Sequence, residues 1–150
     1  MTRGTISLKV VHDRLGLVES GLRDLRALPV DSFETFLEDF RNAAAAESLL
    51  RRTIEALLDT ARHLLAKQFG EGTLEYKKVA QLAVEHGLVL DPETGKRFVL
   101  IAGYRNRLTH FYDQVTPEEL YGILREELGD LESIVAELRA AAGRISGMGR

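Results

Sequence analysis

From Leu8 the apolar positions Leu8, Val11, Leu15, Val18, Leu22 and Leu25 step by three and four, the spacing that gathers one stripe along a helix. Pro29 closes that helix. The near-heptad spacing suits packing on an antiparallel neighbour or on a second subunit, without distinguishing the two. Asp31 and Ser32 are both N-cap candidates, and Glu34 stands three after Asp31 as in a capping box. A second helix is predicted there, with Phe33, Phe36, Leu37 and Phe40 on its buried side. The alanines at 43–46 lead into Leu49, Leu50, Thr53, Ile54, Leu57, Leu58, Ala61, Leu64 and Leu65, a long helix ending before Gly70 with a bend expected near Arg41.

Glu71 to Leu74 reads as a loop, followed by a shorter helix through Val79, Leu82 and Ala83 that stops at His86-Gly87, glycine taking its usual post-helix place. Asp91-Pro92 starts the next helix, and Thr116-Pro117-Glu118-Glu119 is the clearest start of all, joining a cap, a first-turn proline and a glutamate three after the cap. Leu120, Leu124, Leu128, Leu131, Val135 and Leu138 form the buried stripe of one final helix, and residues 143–150 are expected to fray. No segment shows the sustained two-residue alternation of a half-buried strand. The prediction is an all-α protein, an antiparallel bundle of about five to six helices forming a single domain over 1–150.

Composition fits that picture. The chain has 150 residues, 45% of them apolar, and no cysteine, enough to build a core without a disulfide or a thiolate zinc site. The longest apolar run, from Phe98 to Gly103, is far short of the roughly 20 residues that span a bilayer. The N-terminus shows no signal-peptide apolar core, so a cytoplasmic location is expected. A formal charge of −3 argues against a broad basic coat for nucleic acid.

One stretch departs from this balance. Between Lys96 and Tyr112 there are four basic residues (Lys96, Arg97, Arg105 and Arg107), one histidine and no acid, so that with a total of −3 this segment carries +4 and the remainder −7. A positive segment on an acidic body is a candidate anion site. At about 100° per residue, Arg105 and His110 lie roughly 140° apart in helical projection and flank a strip of surface. Asn106, four before His110, is spaced to hydrogen-bond the imidazole and orient it. An imidazole beside a guanidinium suits phosphodiester chemistry without a metal. The imidazole moves the proton of a ribose 2′-hydroxyl or of the leaving 5′-oxygen, and the guanidinium stabilises charge on the phosphate oxygens. Separate acid and base roles would need a second histidine, which a symmetric dimer would bring. From residue types alone, a solvated helix end whose bases complement the dipole is the favoured reading.

Arg105-Asn106-Arg107-Leu108-Thr109-His110-Phe111-Tyr112 resembles the Arg-x4-His-x-Tyr motif of HEPN-superfamily ribonuclease toxins of the HepT type. The resemblance extends to Phe33-x2-Phe36-x2-Asp39 before a long helix, to Ile54-Glu55-Ala56 followed by Asp59 and His63, to the Gly103-Tyr104 lead-in, and to Val115 through Tyr121 opening the last helix. It implies a HEPN-like helical bundle that dimerises with Arg105 and His110 catalytic in a cleft between subunits, and metal-independent cleavage of RNA with no cofactor. It also implies the toxin role in a type VII-like toxin–antitoxin pair, with a small MNT-type nucleotidyltransferase as antitoxin that transfers AMP to the motif tyrosine, here Tyr112. A different class of function is a non-catalytic helical partner of such a nucleotidyltransferase, its positive patch holding nucleotide or an acidic surface.

The remaining candidates are weaker. Glu55, Asp59 and His63 are spaced four apart on one helix, a pattern that reads as a solvated or salt-bridged face, a metal site, or a support for Arg105 if the two helices lie side by side. His86 reads as a helix-end residue, His12 has no cluster around it, and Arg51-Arg52 and Lys77-Lys78 read as surface, with guidance of an RNA backbone as the alternative. There is no glycine-rich phosphate loop and no nucleophile elbow.

Overall fold

The computed structural model of the chain describes residues 5–72, 75–110 and 115–148. These residues form seven helices and no strand: α1 Leu8–Arg26, α2 Phe33–Leu37, α3 Arg41–Phe69, α4 Tyr76–Glu85, α5 Pro92–Thr109, α6 Pro117–Glu126 and α7 Leu128–Met148. Every other helix packs against α3, and α1 does so most extensively. No helix among the described residues is long and apolar enough to cross a membrane.

At α5 and α6 the helix starts follow the caps expected from the sequence, and at α1 Ser7 supplies one. Ser7 accepts the Val10 amide at the head of α1, Asp91 accepts Thr94 at the head of α5, and Thr116 and Glu119 form a reciprocal capping box on α6. At α2 the choice between two caps falls to Ser32, whose hydroxyl accepts the Thr35 amide at 3.1 Å, and not to Asp31. Gly87, at φ +72°, takes the left-handed conformation that lets the Leu88 amide return to the Ala83 carbonyl at 2.8 Å and end α4.

The α1 stripe is buried at Val11, Leu15, Val18, Leu22 and Leu25, while Leu8 at its head is half-exposed. Where α1 crosses α3, a Cβ on Gly21 would stand 2.0 Å from Thr53 Oγ1, so only glycine admits this approach. Thr53 and Thr60 are buried polar residues in α3, and Thr60 spends its hydroxyl on the Ala56 carbonyl at 2.8 Å.

Three expectations are corrected. Phe40 is 83% exposed and Leu37 half-exposed. The chain leaves helix geometry between α2 and α3, so the periodicity that buries Phe36 does not carry to Phe40. The expected single final helix is two, broken at Glu127, because the apolar spacing from Leu120 to Leu138 runs through the break without a phase change and periodicity alone cannot show it. The stretch from Gly143, expected to fray, is helical to Met148, and Ile145 packs on the core.

Candidate functional site

Helix α5 presents Arg105. Its first turns bury Gly95, Phe98, Ile101 and Ala102, and it lies against α3 and α4. Both neighbours then act on the guanidinium. From α3, Glu55 Oε1 accepts Arg105 Nε at 3.3 Å and also Arg51 Nη1 at 3.2 Å. From the first residue of α4, the Tyr76 ring lies under the guanidinium, 4.5 Å from ring centre to Cζ. The same ring carries a second guanidinium, Arg62, at 4.8 Å. Tyr76 is itself held, since its hydroxyl donates to Asp59 Oδ1 at 2.8 Å and accepts from Arg62 Nη2 at 3.3 Å, while Arg62 is ion-paired to Asp59. Burial, and then the bond to Asp59, pushes the Tyr76 phenol above its ordinary pKa, so it stays a neutral donor. Arg105 is thus placed from two sides, with about a quarter of its side chain exposed.

His110 stands where α5 ends. It is the C-cap residue, with extended backbone (φ −105°, ψ 103°), and is exposed. Helical projection therefore holds only to Thr109, and the angle of 140° expected between Arg105 and His110 does not describe them. Thr109 closes the helix by donating its hydroxyl to the Asn106 carbonyl at 2.9 Å. Asn106 is half-buried one turn before the end. Tyr112 lies outside the described residues.

The positive segment is largely matched by carboxylates from elsewhere. Arg105 meets Glu55, Arg97 meets Glu93 at 3.4 Å, and Arg107 makes a two-pronged pair with Glu119, Nη1 to Oε2 at 2.7 Å and Nη2 to Oε1 at 2.9 Å. The last pair joins the end of α5 to the start of α6 and holds the Glu119 carboxyl below its ordinary pKa. Arg107 is therefore structural. Tyr104, in the lead-in to the motif, donates to Glu127 at 2.9 Å, and burial with that bond pushes its pKa to about 12.

Glu55, Asp59 and His63 go to separate partners. Glu55 holds Arg105, Asp59 holds Tyr76 and Arg62, and His63 Nε2 accepts the Ser7 amide at 3.0 Å. Among the described residues no three acidic or histidine side chains are grouped to hold a metal ion. Sequence reading missed Tyr76 and Arg62, because nothing local ties residue 76 to residue 105. Arg51, read as surface, is part of the assembly.

The family model described as Ribonuclease HepT-like matches residues 19–138, which include α3, Tyr76, Arg105 and His110. The chain belongs to the HepT-like ribonuclease family. A protein named tRNA nuclease HepT, from Aphanizomenon flos-aquae (strain 2012/KM1/D3), is 27% identical over 113 residues, 75% of this chain and 76% of that protein. In fold, this HepT-like chain is similar to a tri-AMPylated Shewanella oneidensis HEPN toxin solved in complex with its MNT antitoxin, with TM-score 0.79 and 18% identity over 89% of this chain and 99% of that one. It is also similar to the cytosolic protein YutE of Bacillus subtilis, whose function is unknown, with TM-score 0.75 and 17% identity over 90% of each chain. At these identities the two structures establish the all-α HEPN fold.

Proposed function

We propose that this HepT-like chain is the endoribonuclease toxin of a HEPN/MNT toxin–antitoxin pair, with Arg105 and His110 catalytic and no metal or cofactor required. The observation that carries the reading is the double anchoring of Arg105 by Glu55 and Tyr76 on the helix that ends at His110. A guanidinium fixed in this way is a preorganised acceptor of phosphate charge. In the proposed reaction the ribose 2′-oxygen attacks the adjacent phosphorus and the P–O5′ bond breaks. One histidine takes the 2′-hydroxyl proton, and the other gives a proton to the departing 5′-oxygen. The products are a 2′,3′-cyclic phosphate and a 5′-hydroxyl. Two copies of the chain supply the two His110 side chains, so the active form is a homodimer. Asn106 orients His110. The relative named as a tRNA nuclease makes transfer RNA the first substrate to test.

Control by an MNT nucleotidyltransferase follows the same electrostatics, in line with the modified state and partner of the Shewanella toxin. The Tyr112 phenol oxygen bonds to the α-phosphorus of ATP, pyrophosphate departs and the phenol proton is released. Each added phosphodiester is an anion that competes with RNA for Arg105. The deciding experiment is cleavage of tRNA and growth arrest on expression of the chain alone, with EDTA present in the cleavage assay. Wild type should cut and arrest growth, and His110→Ala should do neither while keeping its helicity and oligomeric state. Cleavage by His110→Ala at the wild-type rate would overturn the mechanism. If the wild type neither cuts nor arrests growth, the chain is a non-catalytic partner of the nucleotidyltransferase.

A further inference from the structure

Beside the Arg105 assembly lies an open recess of about 230 Å³, lined by Arg14 from α1 and by Asp59, Arg62, His63 and Ala66 from α3. The recess and the site share a wall, since Arg62 and Arg105 rest on the same Tyr76 ring. Its one carboxylate is already engaged by Tyr76 and Arg62. Arg14 gives an N–H to the Asp59 main-chain carbonyl at 3.1 Å, out of the five that a guanidinium carries. His63 accepts the Ser7 amide at Nε2, which puts the proton of its neutral ring on Nδ1. The surroundings are biased positive. Burial lowers the His63 pKa first, and the charges of Arg14 and Lys67 lower it further.

We propose that this recess is a second phosphate subsite, in which Arg14 and Arg62 hold a backbone phosphodiester of the RNA next to the one at Arg105. The proposal rests on the ribonuclease reading of Arg105 and His110. Two guanidiniums match the two non-bridging oxygens of a phosphodiester in the way that single ammonium groups do not. Two such subsites also explain how a chain of net −3 engages RNA. The contacts are few and placed, with no broad basic face.

The test uses the full chain and a short single-stranded 2′-O-methyl oligoribonucleotide, which lacks the attacking hydroxyl and is not cut. Binding is followed by fluorescence anisotropy over a range of salt, with wild type, Arg14→Gln and Arg14→Lys. Glutamine can still donate to the Asp59 carbonyl, so α1 stays tied to α3 while the charge is lost, and thermal melts check this. Arg14→Gln should weaken binding several-fold and flatten the slope of log K against log salt by about 0.7, the value for one single-strand phosphate. Arg14→Lys should restore the slope with incomplete recovery of affinity. The His63 imidazole NMR signals should move as oligonucleotide is added. The subsite is overturned if Arg14→Gln matches wild type in affinity and slope, if the His63 signals stay still, or if wild type does not bind. Free AMP moving His63 as effectively as the oligonucleotide would make this a mononucleotide pocket, which also overturns it. The two readings separate cleanly. Wild type that binds as described yet cuts no RNA refutes the ribonuclease and leaves the subsite, whereas wild-type cleavage with KM unchanged in Arg14→Gln refutes the subsite and leaves the ribonuclease.

Discussion

Tyr76 offers the most direct probe of how Arg105 is held, because its ring and its hydroxyl can be removed separately. Tyr76→Phe keeps the ring that Arg62 and Arg105 both contact and deletes the hydroxyl that joins Asp59 and Arg62. Asp59 retains its ion pair with Arg62, so the expected loss is about 1 kcal/mol of stability with little effect on rate. Tyr76→Leu removes the aromatic face as well. A cation–π contact at a partly exposed guanidinium is worth about 1 kcal/mol. Two are lost, but only the one at Arg105 bears on the chemical step. If it is fully expressed at the transition state, kcat falls about fivefold, and a guanidinium displaced by about 1 Å extends the loss toward 100-fold. Single-turnover cleavage of tRNA, with a thermal melt of each variant, reads both quantities. Equal single-turnover rates for Tyr76→Leu and Tyr76→Phe would show that the ring does not place Arg105, whatever the melts say.

Other consequences follow from individual contacts. Gly21→Ala should cost about 2 kcal/mol by overpacking, since its Cβ would meet Thr53 Oγ1. Thr53→Ala should return most of that loss, and full stability of the single variant would contradict the crossing described. The Arg107–Glu119 pair, roughly one-third exposed on each side, should show a coupling of about 1 kcal/mol in a double-mutant cycle read by denaturant unfolding. A coupling of zero would remove it as the link between α5 and α6. His63 has a folded pKa below its ordinary 6.5, so the unfolded chain binds the proton more readily. Its contribution to stability is complete above pH 6.5 and is lost as pH falls through the folded value. Unfolding free energies measured across that window should decline toward acid for wild type, and less for His63→Gln. Parallel profiles would exclude His63 as the source.

The parts of this fold that the sequence makes legible are those decided within a few residues: the caps at Asp91 and Thr116, the glycine stop at Gly87, the apolar stripe of α1. The break before α3 is legible only as the bend expected near Arg41, and the one at Glu127 is not legible at all, because apolar spacing reports only which face is buried and continues in phase across Glu127. The same limit applies to the site. Arg105 and His110 stand out locally as an unusual pairing of residue types, yet the partners that determine what Arg105 can do lie 50 residues back at Glu55 and on another helix at Tyr76. Charge counted by segment is misleading for the same reason. The +4 between Lys96 and Tyr112 is met in space by Glu55, Glu93 and Glu119, so an anion is not drawn there by a bare positive surface. It must compete with Glu55 for Arg105, and Glu55 is a weak competitor in geometry: it takes Nε at the long distance of 3.3 Å and shares the same oxygen with Arg51. Glu55→Gln should therefore leave Arg105 placed by the Tyr76 ring while easing that competition. It should tighten binding of the uncut 2′-O-methyl oligonucleotide, whereas weaker binding would show that the carboxylate's role is to aim the guanidinium and not to restrain it.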